Sequence, residues 1–248
     1  MLELKDFHIG YRRGQEVVKG VSLTLNERET TVLLGPNGSG KSTLIKGVVG
    51  AIKTNKGSLI FNGNPILSAK ERASIIAYVP QRAELPSLSV YETILLGRLP
   101  LFGYAASRID EEATWNVIHR FGLDELAGKN ANELSGGEAQ KVMIARALAS
   151  EPKAVLFDEP TSSLDIANQM LLLKEIKNIT GSGLIAMIAM HDINLALSIG
   201  QRFYCLKNGE ILSEGDQSSI TPELMERLYG VHAEVHQGLD RRYIHFGE

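Results

Sequence analysis

Thr31-Val32-Leu33-Leu34-Gly35-Pro36-Asn37-Gly38-Ser39-Gly40-Lys41-Ser42-Thr43 is the stretch that decides the fold. A short apolar strand runs directly into a glycine loop, and Ser42 to Val49 continues as an apolar-periodic helix closed by Gly50. The loop matches G-x-x-x-x-G-K-[ST] from Gly35, with the preceding strand and following helix that this motif needs. Glycines let backbone N–H groups close around phosphates without Cβ clashes. Lys41 reaches the β- and γ-phosphates, and Ser42 offers its hydroxyl to Mg2+. Gly35, Pro36, Asn37, Gly38, Ser39, Gly40, Lys41, Ser42 and Thr43 are therefore the candidate nucleotide-binding residues.

Working outward, the first third reads as strands at Leu2 to Gly10, Val17 to Leu25, Thr30 to Leu34 and Gly57 to Asn62. Turn signals separate them at Arg13-Gly14, Asn26-Glu27 and Asn62-Gly63. The middle, from about Ser89 to Ser150, reads as helices over Val90 to Leu96, Asp110 to Phe121 and Glu138 to Ala149. From Ala154 short apolar strands alternate with helices: Val155 to Phe157, Ile166 to Ile179, Leu184 to Met190 and Asp192 to Ile199. A hairpin then turns at Asn208-Gly209. Fully apolar strands alternating with helices imply a parallel sheet covered on both faces. The expected fold is α/β with a helical block inserted between two α/β halves.

Two further segments carry chemistry. Leu134-Ser135-Gly136-Gly137-Glu138 opens a helix with bare backbone N–H groups and a favourable dipole, a second anion-gripping start. Ser135-x-x-Glu138 also has capping-box spacing, which turns Glu138 back to the Ser135 N–H and leaves Ser135, Gly136 and Gly137 to face a phosphate. Val155-Leu156-Phe157-Asp158-Glu159 is an apolar strand ending in two acids, and ligands of open α/β sheets sit beyond such carboxyl ends. Pro160-Thr161-Ser162-Ser163-Leu164-Asp165 follows.

In this order the segments resemble the ATP-binding-cassette family, over Leu2 to about Val231. The resemblance implies a P-loop NTPase (RecA-like) core with a mostly parallel sheet, an N-terminal antiparallel β-subdomain and an inserted α-helical subdomain. The whole of 1–248 would form one nucleotide-binding domain, with core and β-subdomain at 1–81 and 152–230, helical subdomain at 82–151 and tail at 231–248. It implies ATP and Mg2+ as ligands. Asp158, Ser42 and Gln81 would serve Mg2+, and Glu159 would polarise the attacking water as general base. Tyr11 matches the aromatic that stacks on adenine, His191 the histidine that contacts the γ-phosphate and orients Glu159, and Asp165 the acid that connects the two nucleotide sites. As bare residues these are a strand-end tyrosine, a strand-end histidine and a loop acid, and Gln81 a loop amide. Ser135, Gly136, Gly137 and Glu138 match the segment that grips the nucleotide held by a second copy. The family most often has Gln where Glu138 stands, although its siderophore-type members commonly carry Glu.

The resemblance further implies a head-to-tail homodimer, two transmembrane permease subunits and an extracytoplasmic substrate-binding protein, with this chain peripheral at the cytoplasmic face of the cell membrane. Gly97-Arg98, the run His191-Asp192-Ile193-Asn194-Leu195-Ala196, and Leu228-Tyr229-Gly230-Val231 with Val235-His236 look like importers of iron–siderophore complexes, haem or cobalamin. They also resemble molybdate or tungstate importers. Gln81 to Leu88 and Leu99 to Tyr104, with Leu85, Leu101, Phe102 and Tyr104, form the candidate permease contact. A soluble cassette ATPase of DNA repair or translation is the rival reading, but it usually carries a long coiled-coil insertion or a second cassette. A phosphoryl-transferring kinase on the same loop is disfavoured by Leu134 to Glu138.

Composition narrows the class. A net charge of −3, without a basic run, gives no reason to expect a nucleic-acid partner. No apolar run approaches the ~20 residues that span a bilayer, and the start, with Glu3, Lys5 and Asp6, does not resemble a secretory signal. The single cysteine, Cys205, lies in an apolar run and reads as a buried structural thiol of a reducing compartment. His119, His232, His236 and His245 lack metal-ligand spacing.

Overall fold

A computed structural model describes the whole chain except Arg13, Gly14, Ala83, Ser163, 239–241 and Glu248, together with the side chain of Arg12. The expected turn at Arg13-Gly14 lies outside the described residues. The chain forms two compact units, one of Met1–Leu67 with Ile176–Glu248 and one of Ser68–Glu175. Along the first unit come strands β1 (Leu2–Arg12), β2 (Gln15–Leu25) and β3 (Thr30–Leu34), helix α1 (Lys41–Val48), and strands β4 (Lys56–Phe61) and β5 (Asn64–Pro65). The second unit holds α2 (Ala69–Ile75), β6 (Ile76–Val79), α3 (Val90–Leu95), α4 (Arg108–Phe121), α5 (Gly136–Ala149) and β7 (Ala154–Asp158). Helix α6 (Ile166–Gly181) crosses the boundary. The first unit resumes with β8 (Ile185–Met190), α7 (Ile193–Ile199), β9 (Arg202–Lys207), β10 (Glu210–Gly215), α8 (Pro222–Tyr229), β11 (Ala233–Gln237) and β12 (Arg242–Phe246).

In the first unit, β2, β1, β4 and β5 form an antiparallel sheet, as the family resemblance implies. Leu2, Leu4, Phe7 and Ile9 of β1 and Val21, Leu23 and Leu25 of β2 are buried. The other sheet of this unit is built on β3, which runs parallel to β8 on one side and β9 on the other, with β10 antiparallel beyond β9. Every residue of β3 and β8 is buried, which is why both read as continuous apolar runs. Cys205 sits inside β9, free and buried, and desolvation pushes its thiol up to about 12. Such a thiol stays protonated and unreactive at neutral pH.

The second unit packs α3, α4 and α5 around Val90, Ile94, Ile118, Leu123, Val142 and Ala145. The same local device opens all three helices. Ser89 and Glu92, Ser107 and Asp110, and Ser135 and Glu138 each place a serine before the helix and an acid three residues on. In each case the carboxylate accepts from the serine N–H, at 2.8, 2.8 and 3.0 Å, and from the serine hydroxyl, at 2.7, 2.6 and 2.6 Å. Asp110 has a second partner. Its other oxygen accepts from the buried Arg98 guanidinium at 2.7 Å, and Arg98 also donates to the Ala149 carbonyl at 2.6 Å, tying the start of α4 to the end of α5.

These bonds have a pH signature. Ser107 first, then Arg98, lowers the Asp110 carboxyl from 3.8 to about 2, and Ser89 and Ser135 lower Glu92 and Glu138. A lowered folded-state value contributes stability that is present above the unfolded value and lost as pH falls through the folded one. The α3–α5 helices are therefore expected to hold down to about pH 4 and to weaken progressively toward pH 2. Ser107→Ala should move that acid transition upward; an unchanged midpoint in a circular-dichroism titration would contradict the role of the cap.

The compact unit that holds these helices begins at Ser68 and ends at Glu175. Within it β6 and β7 pair in parallel with each other, and the Lys153 N–H bonds the Ile75 carbonyl. Three expected boundaries move. Helix α4 starts two residues before Asp110 because Ser107 is its cap, α5 starts at Gly136, and α1 at Lys41.

Candidate nucleotide site

Register sets the site in the first unit. Leu34 lies opposite Met190 of β8 and opposite Cys205 of β9, so Gly35 and His191 leave adjacent parallel strands at the same level. This is the carboxyl edge where open α/β sheets take ligands. The loop itself turns into α1 at Gly40, whose φ of 108° is open to glycine and strained for any residue with a Cβ. Lys41 is buried, and its ammonium donates to the Gly35 carbonyl at 2.8 Å and the Pro36 carbonyl at 3.3 Å. The Ser39 hydroxyl is buried without a hydrogen-bond partner. A buried lysine arched over a glycine loop, with an orphaned hydroxyl among the loop's N–H groups, suits a phosphate chain. Tyr11, at the end of β1, keeps its ring exposed and shares a 3.2 Å hydrogen bond with the Thr43 hydroxyl.

The second unit presents the acids. Val79 is level with Phe157 in the β6–β7 pair, so Gln81 and the Asp158-Glu159 pair emerge together. Glu159 has a φ of 47°, a conformation costly for a side chain of its size and typical of functional turns. The Gln81 amide donates to the Glu159 carboxylate at 3.3 Å and to the Ser162 hydroxyl at 3.3 Å. Asp158 is buried and accepts a 3.3 Å bond from the Tyr78 hydroxyl. Burial, and then the Asp158 charge, push the Tyr78 phenol up, so it stays a donor. Sequence patterning does not single out Tyr78. A tyrosine two residues ahead of Pro80 carries no local signal, and its partner lies 80 positions away.

Glu138 is a structural acid here. Its carboxylate is engaged by Ser135, as the capping-box reading predicts. Gly137 has a tertiary reason. A Cβ there would stand 2.7 Å from the side-chain oxygen of Asn168. Asn168 is in turn bonded to Asp165, whose carboxylate accepts from the Asn168 N–H at 2.8 Å and amide at 3.0 Å. Within this unit the Ser135-Gly136-Gly137 turn and the Asp165 turn are thus neighbours. Ser163, between them in sequence, lies outside the described residues.

Comparison with known proteins fits this arrangement. Residues 18–162 match the ABC transporter family model. The chain belongs to the ABC transporter ATPase family. This ABC ATPase is 40% identical over 226 residues to an uncharacterized ABC transporter ATP-binding protein of Methanocaldococcus jannaschii, covering 90% of the chain and 89% of that protein. It is 34% identical to a phosphonates import ATP-binding protein of Rhodopseudomonas palustris (93% and 87% covered) and 34% identical to a hemin import ATP-binding protein of Gloeobacter violaceus (92% and 87%). Among solved structures, one described as an inward-facing metal-chelate type ABC transporter superposes with a TM-score of 0.83 at 26% identity, covering 99% of this chain and 96% of that one. The α/β P-loop fold with antiparallel N-terminal strands and a helical insert is that of ABC cassettes. ATP hydrolysis is the activity of the family.

Lys41→Ala tests the loop directly. Losing one buried, charge-assisted phosphate contact removes about 1.5–3 kcal/mol of binding, which is about 10- to 100-fold in affinity. ATP and ADP titrations should both show it, and an unchanged dissociation constant would contradict the phosphate role.

Proposed function

We propose that this chain is the ATP-hydrolysing subunit of an ABC importer whose substrate is a metal chelate of the iron–siderophore, haem or cobalamin kind. One observation carries the substrate class: the whole-chain likeness to the metal-chelate type transporter, which extends through the C-terminal strands. The runs Gly97-Arg98 and His191 to Ala196 support it. Phosphonate uptake is the second reading, favoured by the relative of that name at equal identity to the hemin one.

Residue roles follow the family resemblance. Gly35 to Thr43 hold the phosphates, Tyr11 stacks on adenine, and His191 contacts the γ-phosphate. Ser42, Gln81 and Asp158 would hold Mg2+, which supplies charge neutralisation at the β- and γ-phosphates. Glu159 takes the proton of the attacking water. Two copies would sandwich two ATP molecules, each gripped by Ser135, Gly136 and Gly137 of the opposite copy, with Glu138 shaping that helix start and Asp165 linking the sites. The functional division into core (1–81 and 152–230), helical subdomain (82–151) and tail (231–248) belongs to the same proposal. Among the described residues no helix is long and apolar enough to cross a membrane. Two permease subunits would supply the membrane path, with this chain at their cytoplasmic face and a binding protein outside.

Leu99, Leu101 and Tyr104 are exposed, as a permease contact requires, while Leu85 is partly buried against the helical core. Ala83, within the same candidate groove, lies outside the described residues. The deciding experiment assembles the ATPase with its permease and binding protein. ATP hydrolysis should rise with a haem, cobalamin or ferric-siderophore ligand; stimulation by an alkylphosphonate alone would establish the second reading instead.

A further inference from the structure

The run His191 to Ala196 and the segment after Leu228 are explained by each other. Asn194, in the first turn of α7, bonds both backbone groups of one residue of β12. Its amide donates to the Ile244 carbonyl at 3.0 Å, and its side-chain oxygen accepts from the Ile244 N–H at 2.8 Å. The asparagine thereby takes the place of a neighbouring strand along the open edge of the β11–β12 hairpin. The Asn194 N–H is itself held by the Asp192 carboxylate at 2.9 Å, as is that of Leu195 at 3.0 Å. Asp192 follows His191 directly. A continuous set of hydrogen bonds therefore runs from the C-terminal hairpin to the residue beside His191.

The hairpin has further anchors. Arg242 donates to the carbonyls of Gln217 and Ile220, and Ile244 is buried. Tyr229, at the end of α8, meets the Phe246 ring edge-on at 6.3 Å. Its hydroxyl is buried.

A seven-residue helix is marginal on its own, so its first turn depends on capping and packing. Packing of Ile193, Ala196, Leu197 and Ile199 fixes the buried face of α7, and Asn194 lies on the other face. We propose that the C-terminal hairpin is a strap that sets the orientation of His191 through Asn194, which makes Asn194 a positioning residue for the γ-phosphate contact. The inference rests on the reading of His191 given above.

The test compares binding of ADP with that of the non-hydrolysable analogue AMP-PNP, both with Mg2+, in the full chain. Asn194→Ala should leave ADP affinity unchanged and lower the AMP-PNP-over-ADP preference and kcat by about ten-fold. Asn194→Asp keeps the size and the acceptor but loses the donor, and should move the same readouts in the same direction if the alanine variant folds poorly. A structural anchor alone would lower the melting temperature and leave the preference intact, and that result would overturn the strap. His191→Ala is the control. Loss of preference there but not in either Asn194 variant overturns the inference alone, whereas a wild-type preference in His191→Ala overturns the reading of His191 and the inference with it.

Discussion

Glu159→Gln is expected to lower kcat for ATP hydrolysis by about 10²- to 10⁴-fold, the range that a positioned general base contributes, while ATP affinity stays within a few-fold. The substitution is close to isosteric. Glutamine retains an oxygen that can accept from the Gln81 amide, now at 3.3 Å, and it inherits the same left-handed backbone at φ 47°. What is lost is the ability to take a proton. Single-turnover hydrolysis together with equilibrium binding separates the two effects. Near-normal turnover would remove Glu159 from the base role and leave its strained turn without a chemical explanation. Gln81→Ala offers a comparison, since it removes the 3.3 Å contact and leaves the carboxylate in place.

Ser135→Arg should abolish ATP-driven association while sparing nucleotide binding by a single copy. Three local effects combine. The Glu138 carboxylate loses the Ser135 hydroxyl, now at 2.6 Å, and cap loss of this kind costs about 0.5–2 kcal/mol. A guanidinium is placed at the positive end of the α5 dipole, where cations are disfavoured. Its bulk also covers the Gly136 and Gly137 N–H groups that a phosphate would need. Ser135→Ala keeps the surface open and should weaken association far less. Light scattering that still showed a full ATP-dependent dimer for the arginine variant would defeat the role assigned to this helix start. Equal loss in both variants would instead make the hydroxyl the whole of the contact.

Much of this was legible because the deciding signals are local. Strand β3 into the glycine loop, buried strand β7 into two acids, and Ser135 three residues before Glu138 each declare themselves within a few positions. What the sequence does not declare depends on distant partners or on weak patterning. Helix α2 is seven residues rich in Lys, Glu and Arg, with no residue buried, so no apolar period marks it. Helix α8 carried a usable signal, since Thr221 caps it with Pro222 at its first position and Gly230 closes it at φ 76°. The β11–β12 hairpin has buried Ala233 and Ile244 but exposed Tyr243 and Phe246, so its alternation is masked by aromatics facing outward. Asp110 looked like a favourable first-turn acid; its pairing with Arg98 spans 12 residues and depends on how the segment after α3 folds back. Asn194 read as part of a family run, and its reason, a strand 50 residues later, is visible only in three dimensions.

The central claim is that ATP is gripped by two copies at once, the glycine loop of one and the Ser135 helix start of the other. Native mass spectrometry of the Glu159→Gln protein with saturating Mg2+ and ATP measures this directly. The account predicts a particle of twice the 27.1 kDa chain mass that carries two ATP molecules and is absent when Ser135→Arg is added to the same protein. A species that stays at one chain with one ATP at saturation would contradict it.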